Sequence, residues 1–374
     1  MTTQMFKQWI LDKYNLDVCH ETARLYLHRL GFTQPDHKKG VFFDGHERDD
    51  DVLYRNEYLD ILEELGSKSI SPYLPPPIAE GEKPLVRIVH DESTFYSNAD
   101  QTTFWSDGHI LCLRQKSLGS SIMVSDFVVE GYGYLRDDVG EARLLLETQR
   151  DGYYNSSMFT HQVDTAIDIF DRIFQNSIAI FMFDNAPSHR KYPSDGLNAS
   201  DMNVHPGGKQ PKMRDTVWNS SNQSMVLADG TPKGMKLVLQ ERGVDTRGLS
   251  AEKMREILSN HEDFKTQKTI IEEQIQSRGH ICVFFPKFHC KLNPIEHNWC
   301  HAKKEARKYV NGSIVRLREV VPKSLDCVTN DLMNKFFRTC RDYKKAYRAG
   351  HTCSDVEAAV KLCKSHRRVF STNS

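Results

Sequence analysis

Residues 177–189 read SIAIFMFDNAPSH, an apolar run that stops abruptly at Asp184. Six of the seven residues before that aspartate are apolar, which predicts a strand buried on both faces, and such strands belong to sheets covered by helices on either side. Two other stretches have the same character. LVRIVH (85–90) ends at Asp91, and HICVFF (280–285) precedes a proline- and lysine-containing loop. Phe95–Trp105 and Ser121–Val129 (SIMVSDFVV) read as further strands, and 157–176 carries helical periodicity through Phe159, Val163, Ile167 and Phe170. After Pro294 an amphipathic helix runs to about Tyr309. Strands alternating with helices in this order predict an α/β core.

Around that core the chain divides by composition. Residues 4–14 and 20–30 predict two short helices joined by a turn at 15–18, with Gly31 ending the second, which is the form of a helix-turn-helix. Cys19 stands where a Ser or Thr cap is expected. A structural helical hairpin gives the same pattern. If the unit reads DNA, its second helix presents His20, Glu21, Thr22, Arg24 and His28. Residues 36–84 hold a loop, a helix near 53–65 and a segment with prolines at 72, 75, 76, 77 and 84, which breaks regular structure. The expected boundaries are 1–35, 36–84, a core at 85–310 interrupted by an insertion at about 193–279, and a basic helical region at 311–374.

Charge is balanced, with 50 Lys and Arg against 50 Asp and Glu. The balance is uneven along the chain: residues 301–350 hold 13 basic and 5 acidic residues, so a neutral total conceals a basic segment suited to a phosphate backbone. Nine scattered cysteines without a CxxC pair fit reduced thiols. No apolar run is long enough for a membrane span.

Asp91, Asp184 and Glu296 are the candidate catalytic groups. Glu296 lies in LNPIEHNW, in the first turn of the helix that Pro294 opens. Carboxylates at the rim of a sheet can converge from distant positions in sequence. Clustered without a cation they repel and raise one another's pKa, whereas two Mg²⁺ ions use such oxygen ligands to stabilise the attacking and leaving oxygens of a phosphodiester. Each carboxylate taken alone also has an ordinary structural explanation as a turn, cap or helix-dipole residue. A zinc site from Cys290, His297, Cys300 and His301 is an alternative, although its spacing lacks the usual pairs.

The motifs VHDESTFY (89–96), SIMVSDF (121–127), FMFDNAPSH (181–189), PKGMKLVLQERG (232–243) and FFPKFHCKLNPIEHNW (284–299) resemble the DDE transposases of the IS630/Tc1/mariner superfamily, in particular a fungal branch. VCHETARLYLHRLGF (18–32) is similar to the second helix-turn-helix of such a protein, so a longer DNA-binding region is expected. The resemblance implies an RNase-H-like core with a mixed five-stranded sheet, and Asp91, Asp184 and Glu296 as ligands of two Mg²⁺ or Mn²⁺ ions. It implies Glu92, Asn185, His189, His289 and Asn293 as supports beside the site. Lys287, Lys303 and Lys304 become phosphate contacts, with Thr22, Arg24 and His28 on DNA. It further implies cleavage at terminal inverted repeats, joining of the 3′-OH to target DNA, a homodimer and a nuclear location. The interval of 112 residues from Asp184 to Glu296 is longer than in mariner-type elements, and Lys291 stands where an acid is expected. A transposase-derived DNA-binding protein without transposition, and an RNase-H-type nuclease of another lineage, are the alternatives.

Overall fold

The structure, a computed structural model, describes residues 3–30, 47–66, 81–99, 117–352 and 355–356. It divides into two compact units, Met1–Gly45 and His46–Ser374. The first contains α1 (Thr3–Tyr14) and α2 (His20–Arg29). Phe6, Ile10 and Ala23 are buried between them, with Val18 and Leu27 packed alongside. Asn15 takes a left-handed conformation with φ 53° to turn the chain, which asparagine tolerates better than most residues. Cys19 does cap α2: its Sγ accepts from the Thr22 amide at 3.4 Å. The expected stop at Gly31 and the proline-rich segment from 71 to 80 lie outside the described residues.

The second unit opens with α3 (Asp49–Gly66) and is built on a six-stranded mixed sheet. Its strands are β1 (Leu85–Tyr96), β2 (Ser121–Val129), β3 (Gly133–Tyr134), β4 (Leu144–Glu147), β5 (Ile178–Phe183) and, after two short strands of a separate hairpin, β8 (Ile281–Phe284). The order is β3-β2-β1-β5-β8, with β4 also on the outer edge of β2. β1 and β2 are antiparallel, whereas β1, β5 and β8 are parallel. This is the RNase-H-like arrangement. The expected five strands become six because the place beside β2 is shared by β3 and β4, of two and four residues, too short for any periodicity to announce them.

Helices cover both faces. On one, α5 (Ser156–Ile173) and α9 (Ile270–Ser277) enclose Val86, Ile88, Phe127, Phe159, Phe170, Phe181 and Phe183. On the other, α3, α10 (Pro294–Ala306), α11 (Ile314–Asp326) and α12 (Asn330–Arg348) enclose Leu85, Val89, Ile180, Met182, Ile295, Trp299 and Leu317. The helix starts are locally encoded. Asn155 caps α5 through two amides, a Thr269–Glu272 capping box begins α9, and Asn293 with Pro294 begins α10. A single turn, α4 (Thr148–Asp151), lies between β4 and α5.

Between β5 and α9 the chain forms a satellite with its own core, from Leu197 to Phe264, rich in methionine: Met202, Met213, Met225, Met235 and Met254. It comprises the hairpin β6 (Thr216–Trp218) and β7 (Ser221–Gln223), then α6 (Met235–Glu241), α7 (Ala251–Ser259) and α8 (Glu262–Lys265). Asn219 and Ser220, at φ 47° and 63°, make the tight turn of that hairpin. Arg242 pairs with Asp263 at 2.6 Å and lies over the Trp218 ring.

Two sequence expectations change here. β1 does not stop at His90 with a new strand at Phe95. It runs unbroken to Tyr96, because β2 supplies partners for Asp91 through Tyr96 after β5 has ended. Residues 100–105 lie outside the described part. Nor is the basic C-terminal segment simply an outward-facing surface. Arg341 pairs with buried Glu130, which Arg87 also holds; Arg348 reaches Asp60 and Glu63; and Lys344 lies over Tyr58. Among the described residues no helix is long and apolar enough to cross a membrane.

Candidate active site

The register of β1 against β5 places two of the carboxylates. Val89 lies opposite Met182, so Asp91 and Asp184, each two residues further on, stand side by side where the parallel ladder stops. Alternation puts both on the face of Leu85, Val89, Ile180 and Met182, the face that α10 covers. Asp91 is therefore inside its strand rather than at the end of it, as the sequence suggests; it reaches the rim because its neighbour β5 ends first. Glu296 comes from the first turn of α10. All three carboxylates line one cleft of about 400 Å³, together with Asn185, Lys287, Phe288, His289, Cys290 and Asn293.

The electrostatics of these groups differ. Burial, reinforced by the charges of Glu296, Glu92 and Asp184, holds Asp91 well above the usual carboxylate range. Burial also raises Glu296, against the pull of Lys303. Asp184 goes the other way: burial pushes it up, but a hydrogen bond from His189 prevails and lowers it. His189 is only 1% exposed and bridges two acids, Nδ1 to Asp184 Oδ1 at 2.6 Å and Nε2 to Glu92 Oε1 at 2.9 Å. Burial disfavours its charged form, yet the two carboxylates raise it to about 9. It is an imidazolium at neutral pH and donates both bonds.

The remaining supports are placed as follows. Asn293 caps α10 and donates to the His90 carbonyl at 3.2 Å, which ties the helix start to β1. Asn185 donates to the Phe285 carbonyl, joining the ends of β5 and β8. His289 is buried and its Nδ1 meets the Tyr347 hydroxyl of α12 at 3.2 Å. Lys287 lines the cleft, Lys303 is half-buried with burial lowering its pKa, and Lys304 is exposed. In the N-terminal unit, Arg24 is already held by Glu21 and approaches His28, and Thr22 is the residue that Cys19 caps.

Sequence reasoning missed Trp299. It is 2% exposed, and its Nε1–H donates to Asp91 Oδ2 at 3.0 Å. The signal was available, since Trp299 follows Glu296 by three residues and so shares its helix face. Trp299→Phe keeps most of the apolar contact and deletes the donor. It should cost about 1–3 kcal/mol by leaving a buried acceptor unpaired, read as a lower urea midpoint at unchanged slope.

The donor set suits a hard cation. Three carboxylates face one cleft, two of them destabilised as anions by burial and mutual repulsion, which a divalent ion with oxygen preference relieves. Their oxygens are not drawn into a tight cage: the one group of three metal-ligating residues with donor atoms within 4.8 Å of one another, among the described residues, is His90, Glu92 and His189. Cys290, His297, Cys300 and His301 form no such group, because their spacing along α10 and the turn before it scatters them.

No family model matches the sequence, and no curated protein matches it. Solved structures do align with the chain. The Mos1 transposase paired-end complex with left transposon end is 10% identical, with a TM-score of 0.45, over 94% of this chain and 78% of that one. The Mos1 Strand Transfer Complex is 11% identical, with a TM-score of 0.43, over 94% and 73%. The Mos1 transposase catalytic domain with Raltegravir and Mg is 9% identical, with a TM-score of 0.38, over 85% and 95%.

Proposed function

We propose that this chain is a metal-dependent DNA endonuclease and strand-transferase of the DDE transposase kind. The observation that carries the reading is the meeting of Asp91, Asp184 and Glu296, from β1, the end of β5 and the start of α10, in one cleft where burial and mutual repulsion raise two of them. Asp91, Asp184 and Glu296 would hold two Mg²⁺ or Mn²⁺ ions, which supply charge opposite the attacking and leaving oxygens of a phosphodiester. The protein's own residues do the positioning. His189 fixes the orientation of Asp184 and draws Glu92 toward it. Trp299 fixes Asp91. Asn293 sets the start of α10 and so the approach of Glu296.

Lys287, which lines the cleft, and Lys303 and Lys304 on α10 suit contacts to the DNA backbone, and the charge of Lys303 also favours ionised Glu296. The N-terminal helices, with Thr22, Arg24 and His28 on α2, are the reading unit for element ends. A homodimer acting on terminal inverted repeats and target DNA in the nucleus follows from the motif resemblance.

The test is nicking of supercoiled plasmid by the purified chain in Mg²⁺ or Mn²⁺. The wild type should nick, chelator should stop it, and Asp184→Ala and Glu296→Ala should each lose activity while retaining DNA in a filter-binding assay. Unchanged nicking in both variants would refute the assignment. Binding without nicking under either cation points instead to a DNA-binding protein without the chemistry.

A further inference from the structure

On the opposite face of β1 from Asp91, His90 stands beside Glu92 and His189, in a constellation whose last two members the strand-cleavage reading uses only to position Asp184. His90 is fully buried, ringed by Phe127, Phe159 and Phe183 at centroid distances of 4.5–5.4 Å. Its Nε2 meets Ser125 Oγ at 2.8 Å, and its Nδ1 is buried with no hydrogen-bond partner. A lone pair left bare in an apolar pocket is costly.

The protonation of that ring can be deduced. The Gln162 amide donates to the carbonyls of Ser125 and Ala142, which fixes its Oε1 as an acceptor. Ser125 Oγ lies 2.8 Å from that Oε1 and 3.3 Å from Tyr154 Oη, while Tyr154 itself donates to Gln162. The serine proton therefore points away from His90, and Ser125 accepts from His90 Nε2–H. The neutral tautomer leaves Nδ1 as an unprotonated base.

His90, Glu92 and His189 offer donor atoms within 4.8 Å of one another. The two imidazoles stand edge to face at 5.4 Å. Each has its far nitrogen anchored: His90 Nε2 on Ser125, and His189 Nδ1 on Asp184. Metal-bound histidines carry such outer partners, which orient the ring and increase its basicity. His189 Nε2 and Glu92 Oε1 are 2.9 Å apart, close to the roughly 3.3 Å between neighbouring ligands of a tetrahedral ion with bonds of about 2.0 Å.

We propose that His90, Glu92 and His189 form a binding site for Zn²⁺, with water as the fourth ligand and with Ser125 and Asp184 as its outer partners. Two nitrogens and one carboxylate oxygen favour Zn²⁺ over Mg²⁺, which keeps to oxygen. On binding, the proton that His189 Nε2 shares with Glu92 leaves to solvent, and the Nδ1–H bond to Asp184 stays. The ion would thus lock Asp184, and with it one wall of the carboxylate cleft, from the far side of the sheet. Zn²⁺ binding here does not require the proposed DNA chemistry, although the site shares His189 and Glu92 with the positioning of Asp184.

Isothermal titration of Zn²⁺ into the metal-free full chain at pH 7 tests this. One site of micromolar affinity or better is expected. His90→Ala and Glu92→Gln should each weaken binding about 100-fold, and Ser125→Ala about 10-fold. Asp91→Asn and Glu296→Gln should leave it unchanged. Should His90→Ala fail to fold, the wild-type Co²⁺ complex decides. Strong visible absorption of a four-coordinate site without a thiolate charge-transfer band supports the proposal; a weak six-coordinate spectrum or a thiolate band overturns it. So does the absence of saturable Zn²⁺ binding, or binding lost in Asp91→Asn and retained in His90→Ala.

Discussion

Asp91→Asn is expected to abolish divalent-metal-dependent DNA cleavage, by about a thousandfold or more, while raising the melting temperature of the metal-free protein. The two effects share one cause. The folded chain holds the Asp91 carboxyl well above its ordinary value, chiefly by burying it and secondarily through Glu296, Glu92 and Asp184. A carboxyl raised on folding favours the native state when protonated, below its unfolded value, and that advantage is lost as pH rises through the folded one. Above that unfolded value the buried carboxyl works against folding. Asparagine is nearly isosteric, still accepts the Trp299 Nε1–H, and carries no charge. A residue kept for structure alone should behave in the opposite way and cost stability when replaced. Thermal scans in EDTA and in Mn²⁺ check this: Mn²⁺ should raise the wild-type transition and leave that of the variant nearly unmoved. A variant less stable than wild type in EDTA would indicate that Asp91 has a structural role.

The second large effect lies one strand away. Asp126 stands opposite Asp91 in the β1–β2 register and shares its face, yet it is committed elsewhere. Arg143 Nε donates to Asp126 Oδ2 at 2.6 Å, both side chains are almost fully buried, and the guanidinium lies over the Tyr134 ring. Burial raises the Asp126 carboxyl to about 6 even against the pull of Arg143. Arg143→Met keeps the apolar stem but strands the carboxylate. Removing one partner of a buried pair costs about 3–5 kcal/mol, and the loss should depend on pH. Without the arginine, Asp126 must take up a proton to stay buried, so the deficit should be greatest near pH 8 and should shrink toward pH 5. Urea titrations at the two pH values measure it; an equal deficit at both would mean that lost packing, not the stranded charge, dominates.

The strands of the core are legible because burial on both faces forces consecutive apolar residues, as in 85–90, 177–183 and 280–285. The extension of β1 through Asp91 is not. DESTFY alternates weakly, and its strand character comes from pairing with β2, whose residues lie some 30 positions away in sequence. β3 and β4 are invisible for the same reason at shorter length. The three carboxylates could be named from their local company, and the register of β1 against β5 is what brings two of them level. The bond from His189 to Glu92, and the chain from His90 through Ser125 to Gln162, join residues 35 to 97 positions apart along the chain; no spacing rule encodes them. Composition counts charges, but it cannot tell that Arg341 and Arg348 already face Glu130, Asp60 and Glu63.

Anomalous diffraction at the manganese edge, from crystals of the wild-type chain soaked in Mn²⁺, tests most directly whether these carboxylates work as a cation site. Difference peaks between Asp91, Asp184 and Glu296, absent in crystals of Asp91→Asn, are the predicted result. Manganese found elsewhere with this cleft empty, at concentrations that support nicking, would contradict it.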